Sequence, residues 1–144
     1  MQPQAFVELA ERLITNEKNP EGFRSAISRA YYGAFLQAED FLRRMNVYLV
    51  TDKKHQEVLQ ILANTGDAEV DASSAMLGDL REERNRADYK LDDKSIEVEA
   101  HAQECLDNAK DILAKLNGCR IIPTRFQAVT VKLQAEVKRL RGLP

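Results

Sequence analysis

Apolar residues recur along this chain at steps of three and four, the spacing that places them on one face of a helix, and no stretch alternates as a half-buried strand would. Phe6, Leu9, Ala10, Leu13 and Ile14 predict a first helix from about Pro3, a favourable first-turn residue, to Asn16. Asn19, Pro20 and Gly22 then break the pattern. A second helix, from about Pro20 to Met45, is apolar around much of its circumference and is expected at the centre of the fold. The segment NVYLVTD that follows brings Val47, Leu49 and Val50, which are expected to tuck against the bundle. A third helix is expected from a Thr51/Asp52 cap to Asn64, with Thr65, Gly66 and Asp67 as its stop. The fourth runs from about Ala72 to Asp92 and the fifth from a Ser95 cap to Asn117 and Gly118. After Pro123 a last helix, capped by Thr124, carries Phe126, Val129, Leu133, Val137 and Leu140 on one face.

These elements predict an all-α, antiparallel up-and-down helical bundle over residues 1–117, with a basic amphipathic C-terminal helix, 118–144, packed on the bundle or on a dimer. At 144 residues the chain is long enough to bury a core without disulfides or metal, and 44% hydrophobic with 31% charged residues argues against disorder. The formal net charge of -2 gives no overall attraction to nucleic acid or membrane, although the distribution is uneven. From Cys119 onward, six basic residues face one acid. Cys105 and Cys119 lack metal-ligand spacing, so neither a metal nor a cofactor is expected, and Cys105 reads as a buried small hydrophobe. The start of the chain has no basic, apolar leader pattern and no segment suits a bilayer, so a cytoplasmic protein is expected.

The fourth helix carries the candidate chemistry. Leu77, Leu80, Arg84, Ala87 and Leu91 form one stripe, so Arg84 falls where a core residue is expected. A guanidinium does not lose its proton, so once buried it needs a counter-charge or a cleft that admits an anion. Asp88, Glu39 and Asp40 are the candidate partners for the first option; Arg84 and Arg86 with Asn85 between them supply phosphate-recognising groups for the second. Tyr31 and Tyr32 on the second helix, in SRAYYGAF, need hydroxyl partners if buried and suit either helix packing or the wall of a polar pocket. Gly33 and Ala34 beside them allow close helix approach. His55 and His101 read as solvent-facing or satisfied structural histidines. No P-loop, dinucleotide fingerprint, HExxH or nucleophile elbow is present.

SRAYYGAF followed some fifty residues later by LREERNRADY resembles the HEPN domain family (higher eukaryotes and prokaryotes nucleotide-binding) over about Phe6 to Leu116. The resemblance implies a helical bundle that forms a homodimer around a shared cleft. It also implies a metal-independent endoribonuclease of a prokaryotic toxin–antitoxin or defence system, often partnered by a minimal nucleotidyltransferase antitoxin. The family motif is an Arg, then a polar residue, then a His after four to six intervening residues. Arg84 and Asn85 match, whereas the histidine positions hold Tyr89, Lys90 and Leu91. The resemblance therefore implies Arg84, Asn85 and Tyr89 as catalytic candidates, with Arg81, Arg86, Tyr31 and Tyr32 as phosphate- or RNA-binding candidates. Tyr89 has an ordinary pKa near 10 and is a poor base at neutral pH. The alternative is a non-catalytic nucleotide- or RNA-binding module, or a nucleotidyltransferase partner.

Overall fold

A computed structural model describes residues 2–50 and 52–144, and among them every regular element is helical. The order is α1 (Pro3–Asn16), α2 (Pro20–Arg43), α3 (Lys54–Leu62), α4 (Ala68–Tyr89), α5 (Glu99–Arg120) and α6 (Pro123–Leu140), with a 3₁₀ turn at Lys94–Ile96 between α4 and α5. Helix α2 packs against α1, α4 and α5, and its Ala26, Ile27, Ala30, Ala34, Ala38, Phe41 and Leu42 are almost wholly buried. The expectation of an all-α bundle around a central second helix holds. None of the described helices is long and apolar enough to cross a membrane.

Small residues set how closely the helices approach. A Cβ at Gly33 would lie 2.8 Å from the Val7 side chain and 3.1 Å from the Pro3 carbonyl oxygen, so α1 crosses α2 where there is no side chain. At Gly22 the same atom would fall 1.9 Å from the Glu17 carbonyl oxygen, which makes the α1–α2 turn possible only with glycine there. Asn19 caps α2 by accepting from the Gly22 amide at 2.7 Å, with Pro20 in the first turn.

Helix ends depart from the sequence reading for identifiable reasons. Helix α2 stops at Arg43, not Met45; Asn46 adopts φ 59°, and the Val47 amide returns to the Leu42 carbonyl at 3.0 Å. Val47 is buried and Leu49 packs on the core, but Val50 is 65% exposed. The expected Thr51 cap lies outside the described residues, and α3 begins only at Lys54. Helix α4 starts four residues earlier than expected, because Asp67 is its cap and accepts from the Glu69 and Val70 amides. It ends at Tyr89, leaving Leu91 beyond the stripe and 69% exposed. Ser95 sits in the 3₁₀ turn and does not cap α5, which continues through Asn117 and Gly118 to Arg120. Thr124 lies inside the first turn of α6, whose N-cap is Ile122.

Helix α6 lies on α5 and α3, burying Val129, Leu133 and Val137 and setting Phe126 edge-on against Phe41. Leu140, expected on this stripe, is 41% exposed at the helix end. Gln134 donates to the Met45 carbonyl at 2.8 Å, and Arg141 donates to the Tyr48 carbonyl at 2.7 Å and to Glu57 at 3.0 Å. At the other end Arg125 grips Asp67 at 2.9 and 3.0 Å, a pairing that holds the Asp67 carboxyl below the usual range.

The C-terminal end of α4 is held by one buried side chain. Arg24 of α2 donates to the carbonyls of Arg86, Ala87, Lys90, Leu91 and Asp93 at 2.9 to 3.3 Å, and its Nε donates to Glu97 at 2.9 Å. These are carbonyls that a helix end leaves without intrahelical partners. Arg24→Met should lower the unfolding free energy by about 3 kcal/mol, because it strands the partly buried Glu97 carboxylate as well as the carbonyls. Urea titration of the variant checks this; a loss below about 1 kcal/mol would mean that water replaces the guanidinium.

Candidate anion site between α2, α3 and α4

Positions 81, 84 and 88 lie one turn apart along α4, on the side that faces α2. Arg84 is 7% exposed and sits over two aromatic faces, with its guanidinium carbon 5.1 Å from the Tyr31 ring centre and 5.6 Å from that of Tyr32. The nearest carboxylate, Asp88, is 3.9 Å away and is also engaged by the Ser28 hydroxyl at 3.2 Å. Glu39 and Asp40 do not reach Arg84; they pair with Arg43 and Arg44 on their own helix. The ion-pair option is therefore poorly satisfied. Among the described residues the buried side-chain polar atoms without a hydrogen-bond partner are Nε of Arg81 and Nε of Arg84.

Two further groups complete the cluster, and the sequence reading assigned neither to it. Arg29 lies over Tyr32 at 5.0 Å and over Phe6 at 5.8 Å, and donates to Ser28 at 3.3 Å. Among the described residues it is paired with no carboxylate, and the same holds for Arg81. His55, at the start of α3, places Nδ1 2.5 Å from the Tyr31 hydroxyl and stacks on Phe35 at 4.3 Å. Burial lowers the His55 pKa below 6.5, and the charges of Arg84 and Arg81 lower it further. Burial pushes the Tyr31 hydroxyl up to about 12 against the opposing pull of the two arginines, so it stays protonated. An arginine or histidine brought in from another helix leaves no local spacing signal. The one available cue was an unexplained histidine near a helix start.

The other sequence candidates lie elsewhere. Arg86 is on the far side of α4, where it binds Glu83 at 3.0 and 3.1 Å, Asp93 at 2.8 Å and Ser95 at 2.8 Å. It thereby holds the Asp93 carboxyl far below the usual range, with the Ser95 hydroxyl adding to the effect. Asn85 is half-buried one step round the helix, and Tyr89 is 72% exposed on the last turn, well round from Arg84. Beside the cluster, between α1, α2 and α4, runs a cleft of about 510 Å³ lined in part by Ser25, Ser28, Arg29 and Asp88.

A second group of donors joins α4 to α5. Glu83, His101 and Cys105 bring their ligand atoms within 4.8 Å of one another, a mixed set of a kind that zinc takes. Its atoms are already committed: His101 contacts Glu83 at 2.6 Å, Arg86 occupies the same carboxylate, and burial with the Glu83 charge pushes the Cys105 thiol up to about 12. This arrangement works as an internal polar tie between the two helices.

No protein-family model, curated protein or solved structure matches this chain.

Arg84→Met should leave the unfolding free energy unchanged or raise it by up to about 2 kcal/mol, because relief of a poorly paired buried charge outweighs the lost tyrosine contacts. A fall of about 3 kcal/mol or more in urea titration would instead mark a structural ion pair with Asp88. The same variant should move the His55 pKa upward in an NMR titration, since a positive charge that disfavours the imidazolium is gone. For the wild type the sign follows from the lowered folded pKa. The stability that neutral His55 contributes is present above 6.5 and is lost as pH falls through the folded value.

Proposed function

We propose that this chain is an RNA-directed protein of HEPN type, a metal-independent endoribonuclease of a prokaryotic toxin–antitoxin or defence system in which Arg81 and Arg84 take the scissile phosphate. The observation that carries this reading is the pair of buried Nε atoms, of Arg81 and Arg84, without hydrogen-bond partners, with the Arg84 guanidinium set over two tyrosine faces and its nearest carboxylate 3.9 Å away. A phosphodiester supplies the missing acceptors and the missing negative charge together. Arginine donors fixed before the substrate arrives also stabilise charge that develops on phosphorus during transfer. The resemblance of SRAYYGAF and LREERNRADY to the family adds the expectation of RNA as the phosphate's source and of a homodimeric cleft. In that dimer Asn85 and Tyr89, which follow Arg81 by one and two turns along α4, face the second subunit. A nucleotidyltransferase antitoxin is the partner that the resemblance implies.

A second reading, an RNA- or nucleotide-binding module without catalysis, draws support from Tyr89. Its exposure on the last turn of α4 leaves no α4 side chain in place of the family histidine beside Arg84.

Cleavage of a labelled RNA pool in EDTA separates the two readings. The wild type should cleave, and Arg84→Gln should cleave about 100-fold or more slowly while remaining folded. If the wild type binds RNA in an Arg84-dependent manner without cutting it, the binding module is the correct description. RNA binding and cleavage that both ignore Arg84 would refute the anion site.

A further inference from the structure

The motif on α4 lacks a histidine, yet an imidazole reaches the arginine cluster from a different helix. His55 packs its ring against Phe35 at 4.3 Å and Tyr31 at 5.5 Å, with the edge of Tyr32 at 6.3 Å, so three aromatic neighbours restrict its orientation. Nδ1 is committed to the Tyr31 hydroxyl at 2.5 Å, and among the described residues Nε2 has no partner. The ring is half-buried and therefore open on one side. Tyr31 links the two halves of the cluster, since its hydroxyl meets His55 while its face carries Arg84 at 5.1 Å. The polar groups that act on the imidazole are Tyr31 and Tyr32 from α2 and Arg81 and Arg84 from α4, and none of them is a carboxylate.

We propose that His55 is the catalytic base of this site, its Nε2 taking the proton of the ribose 2′-hydroxyl while Arg81 and Arg84 hold the adjoining phosphate. The inference rests on the ribonuclease reading and replaces Tyr89 with His55 in it. In the step, the 2′-oxygen forms a bond to phosphorus as its proton passes to Nε2, and the bond from phosphorus to the 5′-oxygen breaks. The departing oxygen takes a proton from water, and the imidazolium returns its proton to the hydroxide left behind. The products are a 2′,3′-cyclic phosphate and a 5′-hydroxyl, with no net gain or loss of protons or electrons. The step uses the tautomer that carries its proton on Nδ1, in which the lone pair resides on Nε2, as a base requires. Tyr31 is in this scheme a positioning residue that holds the imidazole through its hydroxyl and its ring. The lowered His55 pKa keeps the imidazole neutral at pH 7 before substrate binds.

The test compares the wild-type protein, His55→Asn and Tyr89→Phe on labelled RNA in EDTA across pH 5 to 9, with binding measured on a 2′-O-methyl RNA that cannot be cut. His55→Asn should slow cleavage by about 100-fold or more with the affinity for the methylated RNA held within about twofold, whereas Tyr89→Phe should cleave normally. The wild-type rate should fall on the acid side as His55 becomes protonated, a limb that the residual activity of His55→Asn lacks. Independently of any variant, the His55 resonances should report a rise in its pKa when the methylated RNA binds, because a phosphate offsets the arginine charges. Cleavage by His55→Asn at the wild-type rate, or a His55 pKa indifferent to RNA, overturns the proposal while leaving the ribonuclease reading intact. A wild type that does not cleave removes both.

Discussion

Burying the Arg24 guanidinium at the end of α4 is the constraint on which the rest of the arrangement depends. Its fan of donors meets carbonyls from Arg86 to Asp93, so it fixes where α4 stops and how α2 is aligned beside it. From Arg24 to Tyr31 is seven residues along α2, and from Leu91 back to Arg84 is seven along the run of chain that Arg24 anchors. The two helices run antiparallel with nearly equal rise per residue, so fixing one level fixes the next. The arginine of the motif is thereby delivered onto the tyrosine pair. A slip of a single residue would turn Arg84 by about 100° and take it off the aromatic faces.

That delivery creates a local cost which the surrounding core sustains. Leu77, Leu80 and Ala87, above and below Arg84 on its own stripe, are all nearly inaccessible to solvent, and together with α2 they hold the guanidinium in a dry setting. Tyrosine faces offset part of its desolvation, and the distant Asp88 offsets little. Charge held short of counter-charge, near a histidine kept neutral, is an arrangement suited to receiving an anion. The contrast with Arg86 two residues away is instructive: that side chain has two carboxylates and a hydroxyl, and it ties the helix end together.

The basic C-terminal helix contributes to the site indirectly. Three of its arginines are used in ion pairs, Arg125 with Asp67, Arg139 with Glu136 and Arg141 with Glu57. Through Arg141, Gln134 and its buried Val137, α6 braces α3 and the segment that precedes it, and α3 is the helix that presents His55. Its local charge excess thus serves the packing that positions the imidazole.

The order and type of the helices were legible in the sequence because amphipathic spacing is a local property. Arg84 stood out for the same reason, as a charge on an apolar stripe. Capping at Asp67 and the early end of α4 at Tyr89 were read less well, because one residue type can stop one helix or start the next, and tertiary contacts decide between these roles. Arg24 was silent in the sequence: an arginine near a helix start carries no sign that its partners are carbonyls more than sixty residues away. His55 offered only its position near a helix start, and its meeting with Tyr31 exists only once α3 has folded back on α2. The sequence by itself determined an all-helical chain with a charged residue in a core stripe. Only the tertiary structure decided that Arg84 and Arg81 are left short of hydrogen-bond partners, because that depends on what distant segments bring to them.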